Sequence, residues 1–111
     1  YNKVGACIVT GNEDGAHDVC ANTLYNLSHM GCTIPPNVDC YWVGEAGPGP
    51  SFGDDPSTLK NSFTHRTARY LAENTVKAAK TLQANPYDIN LDKIDQMVSD
   101  ELGGVEKHVR V

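Results

Sequence analysis

From Lys3 to Val9 the chain reads KVGACIV, with apolar or small residues on both faces of an extended backbone and no alternation. Such a run predicts a parallel strand covered by helices on both sides. From about Ala16 to Met30, Cys20, Leu24 and Leu27 fall on one stripe with Val19, Thr23 and Met30 beside it, which is the spacing of an amphipathic helix. Gly31 is expected to end that helix in the left-handed conformation. Pro35-Pro36 keeps the chain extended, and Val38 to Val43 (VDCYWV), rich in aromatic and β-branched residues, predicts a second strand. The unit is β-α-β. Its crossover makes the strands parallel and brings their carboxyl ends to one edge.

Residues 44–58 (GEAGPGPSFGDDPST) hold four glycines and three prolines without periodicity, in a connection longer than usual. A long helix is expected from Pro56 or Leu59 to Ala84, with Phe63, Thr67, Tyr70, Leu71, Asn74, Ala78 and Leu82 on one face, stopping before Asn85-Pro86. Asn90 is placed to cap a short helix bearing Leu91, Ile94, Val98 and Leu102, terminated by Gly103-Gly104. The closing VEKHVRV alternates charge and valine, as an edge strand or a frayed end would. Two strands and two or three helices cannot cover both faces and both edges of a strand like KVGACIV, and an open α/β sheet normally carries more. Strands are therefore expected to be missing, supplied upstream in a longer parent or by a second copy pairing along the open edge. The absence of an initiator methionine before Tyr1 agrees with that expectation.

Composition narrows the function classes. With 111 residues, 40% hydrophobic and 21% charged, one soluble domain is the expectation. The longest apolar run, Val4 to Val9, is far below the roughly 20 residues of a membrane span. Nine basic residues scattered among fourteen acids, for a net charge of -5, argue against nucleic acid, whose phosphates need clustered Lys and Arg. Cys7, Cys20, Cys32 and Cys40 form no C-x-x-C pair and predict neither a metal site nor a redox motif. They read as free thiols in a reducing cytoplasm.

The chemistry concentrates in IVTGNEDGAHD, residues 8–18. A loop between a parallel strand and a helix collects backbone N–H groups and the positive end of the helix dipole, and commonly cradles an anion. Here Gly11-Asn12-Glu13-Asp14-Gly15 matches neither Gly-rich phosphate fingerprint and has no Lys. Two acids would repel phosphate by ~4 kcal/mol each at about 4 Å and an effective dielectric near 20. The glycines then let the backbone approach something flat and neutral, its N–H and C=O groups matching the edge of a heterocycle. Glu13 and Asp14 also fit a plainer role, solvating a turn and favouring the helix N-terminus.

The run KVGACIVTGNEDGAHDV with LSHMGCTIP, then YWVGEAGPGPSF and a long helix ending KTLQANP, resembles the carboxyl-terminal half of flavodoxin-like proteins of the NADPH-dependent FMN reductase kind, over roughly residues 2–86. The resemblance implies a partial three-layer α/β/α fold with a parallel sheet, in which KVGACIV and VDCYWV are the fourth and fifth strands and the first three are absent. It implies FMN across the carboxyl ends, NADPH or NADH as reductant, and a phosphate loop outside this chain. Thr10, Gly11, Asn12 and Gly15 would line the pyrimidine edge of the ring, with Glu13 in the same loop and His17 able to donate to a flavin carbonyl. Residues 1–86 would then be the carboxyl-terminal part of that domain and 87–111 a tail with a short amphipathic helix.

No side chain is assigned a catalytic step, since the flavin carries the chemistry. Tyr41 and Trp42 are candidates for stacking on a ligand or for core packing. Asp54-Asp55 reads as the opening of the long helix rather than a cation site, and His65, Arg66 and Arg69 as a solvated face or a site for the 2'-phosphate of NADPH. The favoured reading is the carboxyl-terminal portion of an FMN-dependent NAD(P)H oxidoreductase, inactive alone and completed by its amino-terminal half or by self-association. The alternatives are a self-assembling, non-catalytic module on a flavodoxin-like remnant, with the Leu91 to Leu102 helix buried between copies, and a flavodoxin-type electron carrier.

Overall fold

A computed structural model of the chain describes residues 1–11, 15–42 and 49–103. Its elements are β1 (Cys7–Thr10), α1 (Gly15–His29), β2 (Asp39–Trp42), a short 3₁₀ turn (Thr58–Lys60), α2 (Ser62–Ala84) and α3 (Leu91–Glu101). β1 and β2 pair in parallel, Cys7 opposite Asp39, Ile8 opposite Cys40, Val9 opposite Tyr41 and Thr10 opposite Trp42. Because side chains alternate along a strand, Cys7 and Cys40 point to opposite faces. The Cys7 thiol meets Cys20 of α1. On the other face, Cys40 Sγ donates to the Thr64 carbonyl at 3.6 Å and accepts from Thr67 Oγ1 at 3.4 Å, both on α2. One helix thus lies on each face of the ladder.

The strand expected from Lys3 is split. Val4 forms only an isolated parallel bridge with Thr33, and the regular ladder starts at Cys7. The cause is Pro35-Pro36, which supplies no backbone N–H, followed by Asn37 in the left-handed region at φ 49°. The chain pairs at Thr33, leaves the ladder over the prolines, and rejoins where Cys7 N–H donates to the Val38 carbonyl at 2.9 Å. At the split, Leu27 of α1 packs directly over the strand at Gly5. A Cβ on buried Gly5 would stand 2.7 Å from Ile34 Cδ1 and 3.2 Å from Leu27 Cβ, so only glycine fits without displacement. Gly31 ends α1 at φ 96°, as the sequence predicts, and Cys32 N–H closes the helix onto the Leu27 carbonyl at 3.0 Å.

α1 buries Ala16 and Cys20 and half-buries Thr23, Leu24 and Leu27, whereas Val19 and Met30 are exposed beside that stripe. α2 begins at Ser62, later than Pro56 or Leu59, because Asn61 takes the cap: its Oδ1 accepts from Thr64 N–H at 2.8 Å. Asp54 and Asp55 do not open this helix. They build the turn before it, Asp54 Oδ2 accepting from Ser51 N–H at 3.2 Å and Asp55 Oδ1 from Ser57 N–H at 2.8 Å. The hydrogen bonds from Ser57 hold the Asp55 carboxyl below its ordinary range. Nor do Phe63 and Tyr70 join the packed face, being 41% and 48% exposed. The helix is turned so that Thr64, Thr67, Leu71, Asn74, Ala78 and Leu82 lie inward, and Asn74 Nδ2 donates to the Pro36 carbonyl at 2.7 Å.

The ladder has two strands among the described residues, and its coverage is uneven. α2 packs over β2 and leaves the same face of β1 open, so Ile8 is 68% exposed, contrary to a strand covered on both sides. α3 is capped as expected, Asn90 Oδ1 accepting from Lys93 N–H at 2.9 Å, yet buries no residue. The radius of gyration is 19.4 Å, where a compact domain of this length has about 13 Å. Val43, Gly104 and the terminal VEKHVRV lie outside the described residues.

All four cysteines are free thiols, Cys7, Cys20 and Cys40 buried and Cys32 half-buried. Burial, and next the adjoining Cys7 thiol, push Cys20 up to about 12 from an ordinary 9.0. The folded state thus favours the protonated thiol, and this contribution to stability is complete at neutral pH and is lost as pH rises from about 9 towards 12. Urea denaturation across that window is expected to show a steeper alkaline loss in the wild type than in Cys20→Ala. Gly5→Ala is expected to cost about 1–3 kcal/mol through overpacking against Ile34 and Leu27, measured by the same denaturation at neutral pH.

Candidate functional site

Parallel pairing brings the carboxyl ends of β1 and β2 together, and the loops leaving them share one edge. Thr10 ends β1 beside Trp42, with its side chain exposed on the α2 face. Gly11 continues the ladder by one more bond, its N–H donating to the Trp42 carbonyl at 3.2 Å, which commits that donor to the backbone. Gly15 opens α1 and is exposed. His17, in the first turn, is exposed and sets its ring edge-on to Tyr41 at 5.8 Å. Tyr41 in turn meets Phe63 edge-on at 5.7 Å. Thr10 and Gly11 therefore gather at Trp42, and His17 at Tyr41. Asn12, Glu13 and Asp14 lie outside the described residues.

Trp42 is held at both ends of its indole. Nε1–H donates to the Pro50 carbonyl at 3.0 Å, and the ring lies 5.8 Å from that of Phe52 at an interplanar angle of 58°. It anchors the end of the Gly/Pro-rich connection to the carboxyl edge. Phe52 is the member of this site that sequence reasoning passed over. The available signal was one large apolar residue in a segment otherwise made of Gly, Pro, Ala, Ser, Thr and acids.

Two hollows flank Trp42. One of about 210 Å³ is walled by Ile8, Thr10, Cys40, Phe52 and Ala68 on the α2 face, and one of about 300 Å³ by Tyr41, Asn61, Phe63 and Thr64. Among the described residues, neither is lined by Lys or Arg. His65 borders the first, but its Nε2 is 2.6 Å from the Leu59 carbonyl, and Arg69 Nη1 donates to the His65 carbonyl at 3.0 Å. The basic cluster of His65, Arg66 and Arg69 is thus partly tied to its own backbone. Among the described residues, the two hollows thus offer a phosphate no Lys or Arg partner. A larger groove of about 730 Å³, lined by Lys3, Val4, Val76 and Leu82 among others, lies away from these residues, between the amino-terminal segment and the second half of α2. Among the described residues, no group of three or more His, Cys, Asp or Glu could hold a metal ion, and no helix is long and apolar enough to cross a membrane.

This chain, with its parallel β-α-β unit, is homologous to two flavin-related enzymes. The chain is 38% identical over 101 residues to the 8-demethyl-8-aminoriboflavin-5'-phosphate synthase of Streptomyces davaonensis, covering 91% of this chain and 39% of that protein. It superposes on the crystal structure of RosB with bound intermediate 8-demethyl-8-formylriboflavin-5'-phosphate at a TM-score of 0.86 and 34% identity, covering 100% of this chain and 42% of that one. It is also 46% identical over 85 residues to the divalent metal cation transporter MntH of Mycobacterium bovis, covering 76% of this chain and 12% of the transporter. No protein-family profile matches. The chain spans about two-fifths of the length of the two flavin-related relatives.

Trp42→Phe keeps a ring for Phe52 and deletes the donor to Pro50. The expected outcome is faster hydrogen exchange at Ser51 to Gly53 with unchanged far-ultraviolet circular dichroism. Unaltered exchange there would show that the indole N–H does not hold the connection.

Proposed function

We propose that this chain is the carboxyl-terminal portion of an FMN-dependent NAD(P)H oxidoreductase of flavodoxin-like, NADPH-dependent FMN reductase type, and that it contributes the loop against the isoalloxazine ring. The observation that carries the reading is the superposition of the whole chain on RosB, whose structure holds a riboflavin 5'-phosphate derivative. The neutral, aromatic-edged hollows beside Thr10 and Trp42 support it. When bound, the flavin supplies the redox chemistry, taking hydride from NADPH or NADH. The chain's own residues orient the ring and exclude water from it. In this reading Thr10, Gly11, Asn12 and Gly15 line the pyrimidine edge, Glu13 belongs to the same loop, and His17 donates to a flavin carbonyl from the first turn of α1. The phosphate is held by polypeptide outside the chain, because the hollows offer it no cation. That polypeptide pairs along the outer edge of β1, beside Ile8. Four free thiols fit a reducing cytoplasm.

A second reading has the flavin as substrate. It is favoured by the synthase relative, whose name describes a flavin phosphate altered at position 8. Mass spectrometry of the flavin recovered after incubating the longer protein with FMN and NADPH separates the two: an unchanged mass with bleaching of the flavin colour supports the oxidoreductase, and a changed mass supports the synthase-like role. For the 111-residue chain alone, titration is expected to show no retention of FMN in the low-micromolar range. Tight binding by this chain alone would falsify the assignment of the phosphate to absent polypeptide.

A further inference from the structure

Three rings, one each from α1, β2 and α2, meet at the carboxyl edge. Tyr41 lies between the other two, its ring centroid 5.8 Å from that of His17 at an interplanar angle of 69° and 5.7 Å from that of Phe63 at 65°. Each contact has the edge-to-face geometry that aromatic rings prefer over a sandwich. α1 and α2 cover opposite faces of the ladder, so one side chain touches rings on both only from the outer edge of β2, where among the described residues no strand pairs.

The two partners of Tyr41 differ in what else holds them. Phe63 stands in the first turn of α2, where the Asn61 cap accepts from Thr64 N–H at 2.8 Å and from Thr64 Oγ1 at 3.0 Å, and Thr67 Oγ1 donates to the Phe63 carbonyl at 3.0 Å. At 41% exposure Phe63 fills no core position, and its contact with Tyr41 gives it a role that core packing does not. His17 has no comparable support. Its side chain is 64% exposed, and the Asp18 carboxylate stands 3.9 Å from Nδ1, beyond hydrogen-bond reach. An exposed side chain samples more than one staggered rotamer, and among the described residues the Tyr41 ring is what selects one for His17.

We propose that Tyr41, buttressed by Phe63, is a positioning residue that holds the His17 imidazole in one orientation for donation to the flavin carbonyl. The proposal rests on the functional reading above, in which His17 is that donor, and it gives Tyr41 no contact with the flavin itself. A hydrogen bond weakens steeply as its donor goes out of line, so removing the Tyr41 ring lowers flavin affinity through His17 alone.

In the 111-residue chain, the ring-proton resonances of His17 are expected to be displaced by the Tyr41 ring current and to return towards free-histidine positions in Tyr41→Leu. Phe63→Leu, a change at an exposed position that leaves β2 intact, is expected to move the same resonances part of the way. In the longer protein, FMN titration followed by flavin fluorescence is expected to show binding weakened about three- to tenfold by His17→Ala and by Tyr41→Leu, with the double variant no weaker than His17→Ala. Tyr41→Phe, which keeps the ring, is expected to rescue both the resonances and the affinity. Losses that multiply in the double variant, a Tyr41→Phe chain as weak as Tyr41→Leu, or His17 resonances indifferent to both Tyr41→Leu and Phe63→Leu each overturns the positioning role and leaves the functional reading standing. A wild-type longer protein that does not bind FMN overturns the functional reading itself.

Discussion

The structure depends on how closely two helices can approach a short parallel ladder. Four paired residues per strand leave little area for packing, and the contacts that fill it come from small side chains: Cys7 against Cys20 on one face, Cys40 against Thr64 and Thr67 on the other, and bare Gly5 under Leu27 and Ile34. Small residues bring backbones close, which is what lets Cys20 reach 1% exposure in an otherwise open chain. They also contribute little apolar area each, at roughly 25 cal/mol per Å². A unit built this way is well ordered locally and thinly stabilised overall. Its geometry invites further polypeptide, because among the described residues no strand pairs with the outer edge of β1 and Ile8 is exposed beside it.

Local rules made the elements legible. The helix ends were written in residues whose conformational needs are specific: Gly31 for the left-handed stop, Asn90 for the cap of α3, and Asn85-Pro86 for the end of α2. The β-α-β order and its parallel pairing followed from strand character and handedness alone. What sequence could not resolve was rotation and competition. Phe63 and Tyr70 share a periodic face with Leu71, but the choice of face went to Thr64 and Thr67, whose hydroxyl and carbonyl groups engage Cys40. Asp54 and Asp55 obeyed the rule that acids favour helix starts, yet Asn61 stood nearer the helix and took the cap, leaving the two carboxylates to shape the preceding turn. The split of the first strand arose from Pro35-Pro36 on its partner, a non-local cause that no window over Lys3 to Val9 contains.

The site was legible in the same uneven way. The convergence of the two parallel strand ends, and the lack of a phosphate-binding pattern beside them, were readable from order and charge. The division of labour inside it was not. Tyr41 and Trp42 are neighbours on one strand and were equal candidates for stacking, and only the register shows them turned to opposite faces, Tyr41 towards His17 and Trp42 towards Phe52. Gly11 likewise had a free N–H until the ladder extended one bond further and consumed it.

These details bear on what the edge can recognise. A phosphate needs several converging donors or a cation, and here one N–H is spent on Trp42, the indole N–H on Pro50, and His65 and Arg69 on backbone carbonyls. These four described donors hold the protein to itself. Among the described residues at this edge, aromatic surface, the Thr10 hydroxyl and the exposed His17 ring remain, a set that discriminates chiefly by shape. A planar heterocycle presents such a surface with a flat face and a rim of alternating donors and acceptors, so its binding would cost the edge no hydrogen bond that the fold now uses. An anion drawing on Gly11, Trp42, His65 or Arg69 would have to break one, and the two acids of the adjoining sequence would oppose it.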